Sequence, residues 1–179
     1  MPIEDTVGAI ADLQIEYSLL SRGIEADILP ACRELRVGVT AYGVLSRELL
    51  SGHWSKERVV APGDFRGFAP RFRGENLDRN LALVDALRGV AVARGATVAQ
   101  VAQVAQVAQV AIGWVLSRGQ EIVPLVGARR RDRLAEALGA LKLQLTPDHL
   151  AQIERVVSAG AAAGDRYPAP GVAGLDSER

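Results

Sequence analysis

A glutamine, a tyrosine and a run of arginines are the side chains of this sequence whose types and positions could support chemistry. Gln14 and Tyr42 each lie at the end of a short apolar run, and arginines crowd residues 129–133. An arginine-rich helix start can hold a phosphate through charge-assisted, often bidentate hydrogen bonds. The residue types alone leave a second interpretation open. Gln14 and Tyr42 can be polar caps over a core, and the arginines a solvated face paired with Asp132 and Glu136.

The other reactive residue types give no site. Cys32 is the only cysteine, which excludes an internal disulfide and any cysteine-based zinc site. His53 and His149 share no metal-ligand spacing with each other or with nearby acids, so no metal is assigned. Lys56 and Lys142 are the only lysines, and neither follows a predicted strand. No catalytic residue is therefore assigned within this chain.

Composition favours a single domain over residues 1–179, because a chain of this length that is 49% hydrophobic can bury one core. The 21 basic and 21 acidic residues cancel, so no bulk charge attracts a nucleic acid or a membrane. The first residues lack the basic start and apolar stretch of a secretion signal. These features predict a cytoplasmic protein with neither nucleic-acid nor membrane partners.

The apolar pattern predicts an α/β fold with about three parallel strands. A strand over residues 11–15, a helix over residues 24–35 and a strand over residues 37–42 follow one another with short connections. This order favours parallel pairing by a right-handed crossover. Residues 121–126 form a third predicted strand. Because three strands leave the sheet edges open, the sequence also predicts self-association and suggests a piece of something larger.

The remaining segments are predicted to be helices, one long loop and a tail. A surface loop covers residues 53–74, and an irregular tail that has little to pack covers residues 160–179. The four predicted helices are one over residues 77–94, one that is capped by Thr97 and ends near residue 118, a basic one over residues 130–141, and one that is capped by Thr146 and ends near residue 157.

A fourfold Val-Ala-Gln repeat occupies residues 98–109, within the predicted helix that Thr97 caps. It is far shorter than the repeats of about 20 to 50 residues that build solenoids, so we interpret it as a low-complexity expansion inside a helix. Three surplus units would lengthen a helix by roughly 13 Å and about two and a half turns. We therefore interpret the repeat as an indication that this chain is an altered gene product.

Four motifs occur in an order that resembles the C-terminal part of the aldo/keto reductases. They are Leu-Gln-Ile-Glu-Tyr-Ser at residues 13–18, Leu-Pro-Ala-Cys-Arg-Glu-Leu at 29–35, Ala-Tyr-Gly-Val-Leu-Ser-Arg at 41–47, and Ile-Val-Pro-Leu-Val-Gly-Ala-Arg at 122–129, followed by a predicted helix that carries Arg-Leu-Ala-Glu at 133–136. The resemblance extends from about residue 10 to the tail. It implies a partial (β/α)8 TIM barrel comprising the last three strands, with the site at the C-terminal ends of those strands.

The same resemblance implies an NADP(H) site. Gln14 matches the glutamine that binds the nicotinamide carboxamide, and Tyr42 matches the aromatic residue that stacks on the nicotinamide ring. The pyrophosphate loop would comprise Gly43, Leu45, Ser46 and Arg47. The adenosine end, whose arginines favour NADP over NAD, would comprise Gly127, Ala128, Arg129, Arg133 and Glu136.

Two departures from the family pattern weaken parts of this implied site. The family often has glycine where this chain has Glu48, which puts a carboxylate near the phosphates. The family commonly has asparagine where this chain has Ala137, which removes one adenine contact.

Two functional hypotheses follow from the resemblance. The family reduces small-molecule aldehydes and ketones with an aspartate, a tyrosine, a lysine and a histidine on earlier strands, and those motifs do not occur in this sequence. One hypothesis is an NADP(H)-dependent oxidoreductase whose gene model is cut short or whose N-terminal part is supplied by a separate chain. The other is a non-catalytic remnant or interaction module that is stable only by pairing its open sheet edges with itself or with a partner. In either case we expect that the polypeptide alone does not turn over substrate.

Overall fold

The computed structural model describes residues 12–92 and 105–172, which form an α/β structure around three parallel strands. The strands are β1 (Asp12–Glu16), β2 (Gly38–Tyr42) and β3 (Ile122–Pro124), in the spatial order β1-β2-β3. The helices are α1 (Ile28–Leu35), α2 (Gly74–Val92), α3 (Ala105–Leu116), α4 (Arg131–Leu138), α5 (Pro147–Val156) and α6 (Ala169–Val172). Short 3-10 turns cover Gly23–Glu25, Ser46–Ser51, Phe65–Gly67, Pro70–Phe72 and Gly139–Lys142.

The two faces of the sheet differ in burial. Val39 and Ala41 of β2 are fully buried against the helices, as the alternation of a half-buried strand requires. On the opposite face, the side chains of Gln14 and Val123 are exposed at the level of Thr40, the residue with which both pair. Within the described residues, the sheet therefore packs the helices on one side and leaves the other side open.

The predicted strands agree with the structure except at their ends. β1 extends to Glu16, so Gln14 lies in the middle of the strand rather than at its end. Of the predicted strand over residues 121–126, β3 covers only Ile122–Pro124, although the Glu121 carbonyl already accepts a hydrogen bond of 2.8 Å from the Val39 amide. One further hydrogen bond, from the Leu125 amide to the Ala41 carbonyl at 2.8 Å, ends the pairing before the chain turns away.

The helix predicted over residues 24–35 is two elements instead of one. A 3-10 turn covers Gly23–Glu25, and α1 begins after Asp27, whose backbone is not helical. Pro30 explains the break, because a proline lacks the N–H that a continuous helix would bond to the carbonyl of residue 26, yet it fits the first turn of a new helix. The prediction merged two short elements that share one apolar face.

The other helices follow the prediction with shifted ends. α2 begins at Gly74, before the predicted residue 77, and the basic helix is α4 followed by the 3-10 turn Gly139–Lys142. The predicted cap of α5 is confirmed: Thr146 Oγ1 accepts a hydrogen bond from the His149 amide, and His149 Nδ1 accepts one from the Thr146 amide.

The repeat lies partly outside the described residues. Its last units, from Ala105, continue into α3 as regular helix, while residues 98–104 and the predicted cap Thr97 lie outside. Val107 and Ala108 are buried. The helical prediction is therefore confirmed for the final part of the repeat.

The core centres on Trp114 of α3, which is fully buried. Its ring lies 5.4 Å from that of Tyr17, and its Nε1 donates a hydrogen bond to Glu154 Oε1 at 3.1 Å. The guanidinium carbons of Arg22 and Arg118 lie 4.9 and 5.0 Å from its ring centroid. The Trp114 indole thus links α3 to Tyr17, which follows β1, and to Glu154 of α5.

The prediction that the tail after residue 160 has little to pack is wrong for its described part. The Asn80 side chain of α2 is fully buried, accepts a hydrogen bond from the Ala163 amide at 2.8 Å and donates one to the Ala163 carbonyl at 2.9 Å. Arg166 is also buried. Polar contacts rather than an apolar pattern hold this segment against the body. Among the described residues, no helix combines the length and apolar character needed to cross a membrane.

Candidate functional site

A cavity of about 870 Å³ opens at the C-terminal ends of β2 and β3. Its walls are the loop after β2, the loop after β3 and the first turns of α4, with Ala108 of α3 beneath. Nine of the eleven residues named from the sequence as cofactor ligands line it, namely Tyr42, Gly43, Leu45, Arg47, Gly127, Ala128, Arg129, Arg133 and Glu136. Segments far apart in the sequence therefore meet at one opening.

The remaining two predicted residues lie outside the cavity wall. Gln14 is exposed in the middle of β1, on the same face of the sheet as Tyr42. Ser46 is buried, and its hydroxyl lies 3.0 Å from that of Ser18. This hydrogen bond ties the loop after β2 to the end of β1, so Ser46 shapes the loop from behind.

Tyr42 is half-buried at the end of β2, opposite Glu16 in the sheet register. Burial raises the pKa of its phenol, and so do the neighbouring Tyr167 hydroxyl and the Glu16 carboxylate, while Arg166 opposes them. Gly43 follows with φ 68°, and a Cβ at this position would lie 2.9 Å from Glu16 Cγ. Glycine is therefore required both for the backbone conformation and for space beside Glu16.

Three consecutive residues of the loop after β2 have left-handed backbones without being glycine. The φ angles of Ser46, Arg47 and Glu48 are 46°, 54° and 84°. Such conformations cost about 1–3 kcal/mol each and persist only where the surroundings hold them. Arg47 is held by a hydrogen bond of 2.6 Å to the Tyr167 hydroxyl, with its guanidinium 4.7 Å from the Phe65 ring centroid.

Glu48 is neutralised by two arginines that the sequence did not identify as site residues. Arg58 lies 3.0 Å from Glu48 Oε2, and Arg66 also contacts that oxygen. Both arginines line the cavity and belong to the long loop over residues 53–74. Glu48 departs from the family pattern in the predicted phosphate loop, but its carboxylate brings the guanidinium groups of Arg58 and Arg66 to that loop.

Asp64 fixes Arg66 within this loop. Its carboxylate accepts hydrogen bonds from the Arg66 side chain, at 2.6 Å to Nη2, and from the Arg66 amide at 3.0 Å. These hydrogen bonds lower the pKa of Asp64 to about 2, the side chain of Arg66 contributing most.

We expect Arg66→Ala to raise the pKa of Asp64 part of the way toward the ordinary value of about 3.9, because the dominant hydrogen-bond donor is removed while the backbone amide of residue 66 still donates. The measurement is an NMR titration of the Asp64 carboxyl carbon. Arg58→Ala is the matched control, since the charge of Arg58 is only a minor cause of the shift and the pKa should then move little. Equal shifts in the two variants would contradict the assignment.

Arg133, Glu136 and His53 form a second cluster at the far end of the cavity. Arg133 Nη1 lies 2.8 Å from Glu136 Oε2, and His53 Nε2 lies 3.3 Å from Glu136 Oε1. Arg133 Nη1 also contacts His53 Nε2. Arg133 and Glu136 are among the cofactor ligands predicted from the sequence, whereas His53, which is 80 residues from Arg133 in the chain, is not.

The arginines among residues 129–133 are divided between the two interpretations that the sequence left open. Arg130 pairs with Asp132 at 2.6 Å and its side chain is 70% exposed, as a solvated face requires. Arg129, Arg130 and Arg133 line the cavity, whereas Arg131 is exposed and does not. At Gly127, nothing lies within 4 Å of the position that a Cβ would occupy, so the wall is open there.

Comparison with known proteins identifies the fold and the family. The model of the aldo/keto reductase family matches residues 4–158. The chain belongs to the aldo/keto reductase family. Probable aldo-keto reductase 1 of Glycine max is 36% identical over 158 residues, which are 88% of this chain and 43% of that protein. The chain therefore spans less than half the length of this curated relative.

Solved structures of family members resemble the described fold. The glycerol dehydrogenase of Gluconobacter oxydans superposes with a TM-score of 0.70 at 28% identity, covering 83% of this chain and 42% of that one. An aldo-keto reductase of Klebsiella pneumoniae in complex with NADPH gives a TM-score of 0.54 at 25% identity, covering 88% and 43%. The α/β fold expected from the sequence is thus shared with this family.

Proposed function

We propose that this aldo/keto reductase chain provides the NADP(H)-binding part of an oxidoreductase that acts on small-molecule aldehydes or ketones. In this proposal β1, β2 and β3 are the last three strands of a (β/α)8 barrel. The observation that carries it is the cavity at the strand ends, which joins Tyr42 to Arg133. Support also comes from the Klebsiella pneumoniae relative, whose structure contains NADPH.

The size and charge of the cavity fit a dinucleotide phosphate. Its volume of about 870 Å³ is within the range of about 300–1,000 Å³ that is usual for ligand pockets. Three carboxylates line it, those of Glu48, Asp64 and Glu136. Twice as many guanidinium groups line it, those of Arg47, Arg58, Arg66, Arg129, Arg130 and Arg133. The lining is therefore net positive, as an anionic ligand requires.

The nicotinamide would lie at the sheet end of the cavity. The half-buried Tyr42 ring offers one flat face on which a nicotinamide can stack, leaving the other face of the nicotinamide free. The exposed Gln14 amide, on the same face of the sheet, would bind the carboxamide after its side chain turns toward Tyr42. NADPH, when bound, supplies the hydride for carbonyl reduction.

The phosphates would lie along the two loops. Gly43, Leu45 and Arg47 would contact the pyrophosphate, with Ser46 supporting the loop and Arg58 and Arg66 facing the phosphates. Gly127, Ala128, Arg129, Arg133 and Glu136 would hold the adenosine end. Arginine suits a 2'-phosphate because its planar donors bind phosphate oxygens in pairs.

The open sheet favours a second candidate function. Val123 and Leu125 are 61% and 52% exposed on the face opposite the helices, and β1 and β3 are the outer strands of the described sheet. These features suit pairing with further strands, whether those of a catalytic half or of another partner. A folded chain without affinity for NADPH would leave this interaction module as the function.

We expect the purified chain to bind NADPH with micromolar affinity, and Arg133→Ala to weaken this binding by about 10- to 100-fold. The expected loss corresponds to a charge-assisted hydrogen bond of about 1.5–3 kcal/mol. The measurement is a titration of NADPH fluorescence. Arg131→Ala is the control, since Arg131 is exposed on α4 and does not line the cavity. Equal weakening by both variants would exclude Arg133 as a specific ligand.

A further inference from the structure

His53 occupies a position where one nitrogen faces two incompatible partners. Its Nε2 contacts the Arg133 guanidinium and lies 3.3 Å from the Glu136 carboxylate. Arg133 can only donate a hydrogen bond, so toward Arg133 the nitrogen must carry no proton. Glu136 as a carboxylate can only accept, so toward Glu136 the same nitrogen must carry one. The two contacts therefore favour opposite protonation states at Nε2.

The surroundings of His53 make Arg133 and Glu136 the charges that decide between these states. Both belong to α4, and the Glu136 side chain is only 13% exposed against 27% for His53. From α2, Arg88 donates a hydrogen bond to the Gly52 carbonyl next to His53, and its own charge is paired with Asp85. Arg58, on the same loop as His53, also faces the cavity, where Glu48 pairs with it.

A phosphate bound at Arg133 would change this balance. The phosphate oxygens would take the Nη1 donor that now contacts both His53 and Glu136. Glu136 would lose its 2.8 Å ion pair while remaining mostly buried, and a carboxylate in such a place needs a replacement cation. The imidazole is already within reach of Glu136.

We propose that His53 couples binding of the 2'-phosphate of NADP(H) to the uptake of a proton. This inference rests on the proposed function. A proton from solvent binds Nε2 of His53 and forms the N–H that donates to Glu136, while Arg133 turns its donors to the phosphate. A dinucleotide without the 2'-phosphate leaves Arg133 on Glu136, so its binding takes up no proton at His53. His53 is thus a specificity-determining residue whose contribution depends on pH.

We expect the affinity of the chain for NADPH, relative to that of His53→Gln, to rise about 3- to 10-fold from about pH 8 to pH 6, the range in which histidine titrates. The glutamine amide can donate to Glu136 and accept from Arg133 at every pH, so this variant removes the titration alone. The 2'-phosphate itself titrates at about pH 6, but it does so equally in both chains and cancels in the ratio.

His149→Gln is the matched control because His149 is the only other histidine. It lies at the start of α5, where its Nδ1 accepts from the Thr146 amide, and glutamine preserves this type of cap. Titrations with NADPH and with NADH at each pH cover all three chains. Calorimetry of the unchanged chain in two buffers of different ionisation enthalpy counts the protons directly and does not depend on any variant.

The outcomes separate the two proposals. A pH dependence for NADPH that disappears in His53→Gln, persists in His149→Gln and is absent for NADH supports the coupling. NADPH binding without proton uptake, or with the same pH dependence in His53→Gln, overturns the coupling and leaves the proposed function intact. No NADPH binding by a chain whose circular dichroism shows it folded overturns both.

Discussion

Trp114→Ala is expected to lower the free energy of unfolding by about 3–5 kcal/mol, as is usual when a fully buried tryptophan is truncated. The substitution removes the ring that packs on Tyr17 at a centroid distance of 5.4 Å. It also leaves Glu154 without the indole donor, and Arg22 and Arg118 without the ring that lies between 4.9 and 5.0 Å from each of them. Packing, hydrogen bonding and cation-π contacts are therefore lost together.

Urea denaturation followed by far-ultraviolet circular dichroism measures this effect, because tryptophan fluorescence changes with the substitution itself. Trp114→Phe keeps an aromatic ring against Tyr17 but removes the Nε1 donor, so it should lose only about 1–2 kcal/mol. Trp54 offers a comparison, since it is 9% exposed and packs on Phe72 at 4.8 Å outside this junction. A loss below about 1 kcal/mol in Trp114→Ala would show that the core does not depend on this residue.

The sheet could be predicted from the sequence because its apolar runs are local. Val39 and Ala41 alternate with less buried residues in β2, and that alternation fixes both the strand and its buried face. The ends were less predictable, since they depend on single backbone donors. Pro30, for example, has no N–H to continue the predicted helix, which the structure divides into two elements.

The site was predictable only where its residues belong to family motifs. Tyr42 and Arg133 lie in such motifs and line the cavity. His53, Arg58 and Arg66 come from the long loop, whose course is set by ion pairs with Glu48 and Glu136 rather than by any periodic pattern. Only the richness of that loop in arginine signalled that it could reach an anion.

The packing of the tail after residue 160 was also not predictable from the sequence pattern. Residues after 160 have no apolar periodicity, and the sequence accordingly predicted little packing. Burial there comes from Arg166 and from the pairing of Ala163 with Asn80. A buried arginine needs a carboxylate partner from elsewhere in the chain, and sequence patterns do not show which one it finds.

That partner is Glu16, and Glu16→Ala is expected to cost about 3–5 kcal/mol of stability, the usual effect of breaking a buried ion pair. The Glu16 side chain is 2% exposed and lies 3.4 Å from Arg166, whose side chain is 4% exposed. Ser21 donates a hydrogen bond of 3.0 Å to Glu16, and Arg71 donates one of 2.9 Å to Ser21. The substitution removes the negative charge that lies beside the Arg166 guanidinium.

Glu34→Ala is the control, because Glu34 is exposed on α1 and its loss should stay within about 0.5 kcal/mol. A double-mutant cycle of Glu16→Ala with Arg166→Ala isolates the pair, and we expect a coupling of about 0.5–3 kcal/mol. Additive effects of the two substitutions would contradict the pairing.

Limited proteolysis adds a local measurement of the same ion pair. Because the pair joins the tail to the end of β1, cleavage within residues 160–172 should accelerate in Glu16→Ala and remain unchanged in Glu34→Ala. The same pair lies beside Tyr42, so loss of the carboxylate should also loosen the sheet end of the cavity, where Tyr167 holds Arg47 at 2.6 Å.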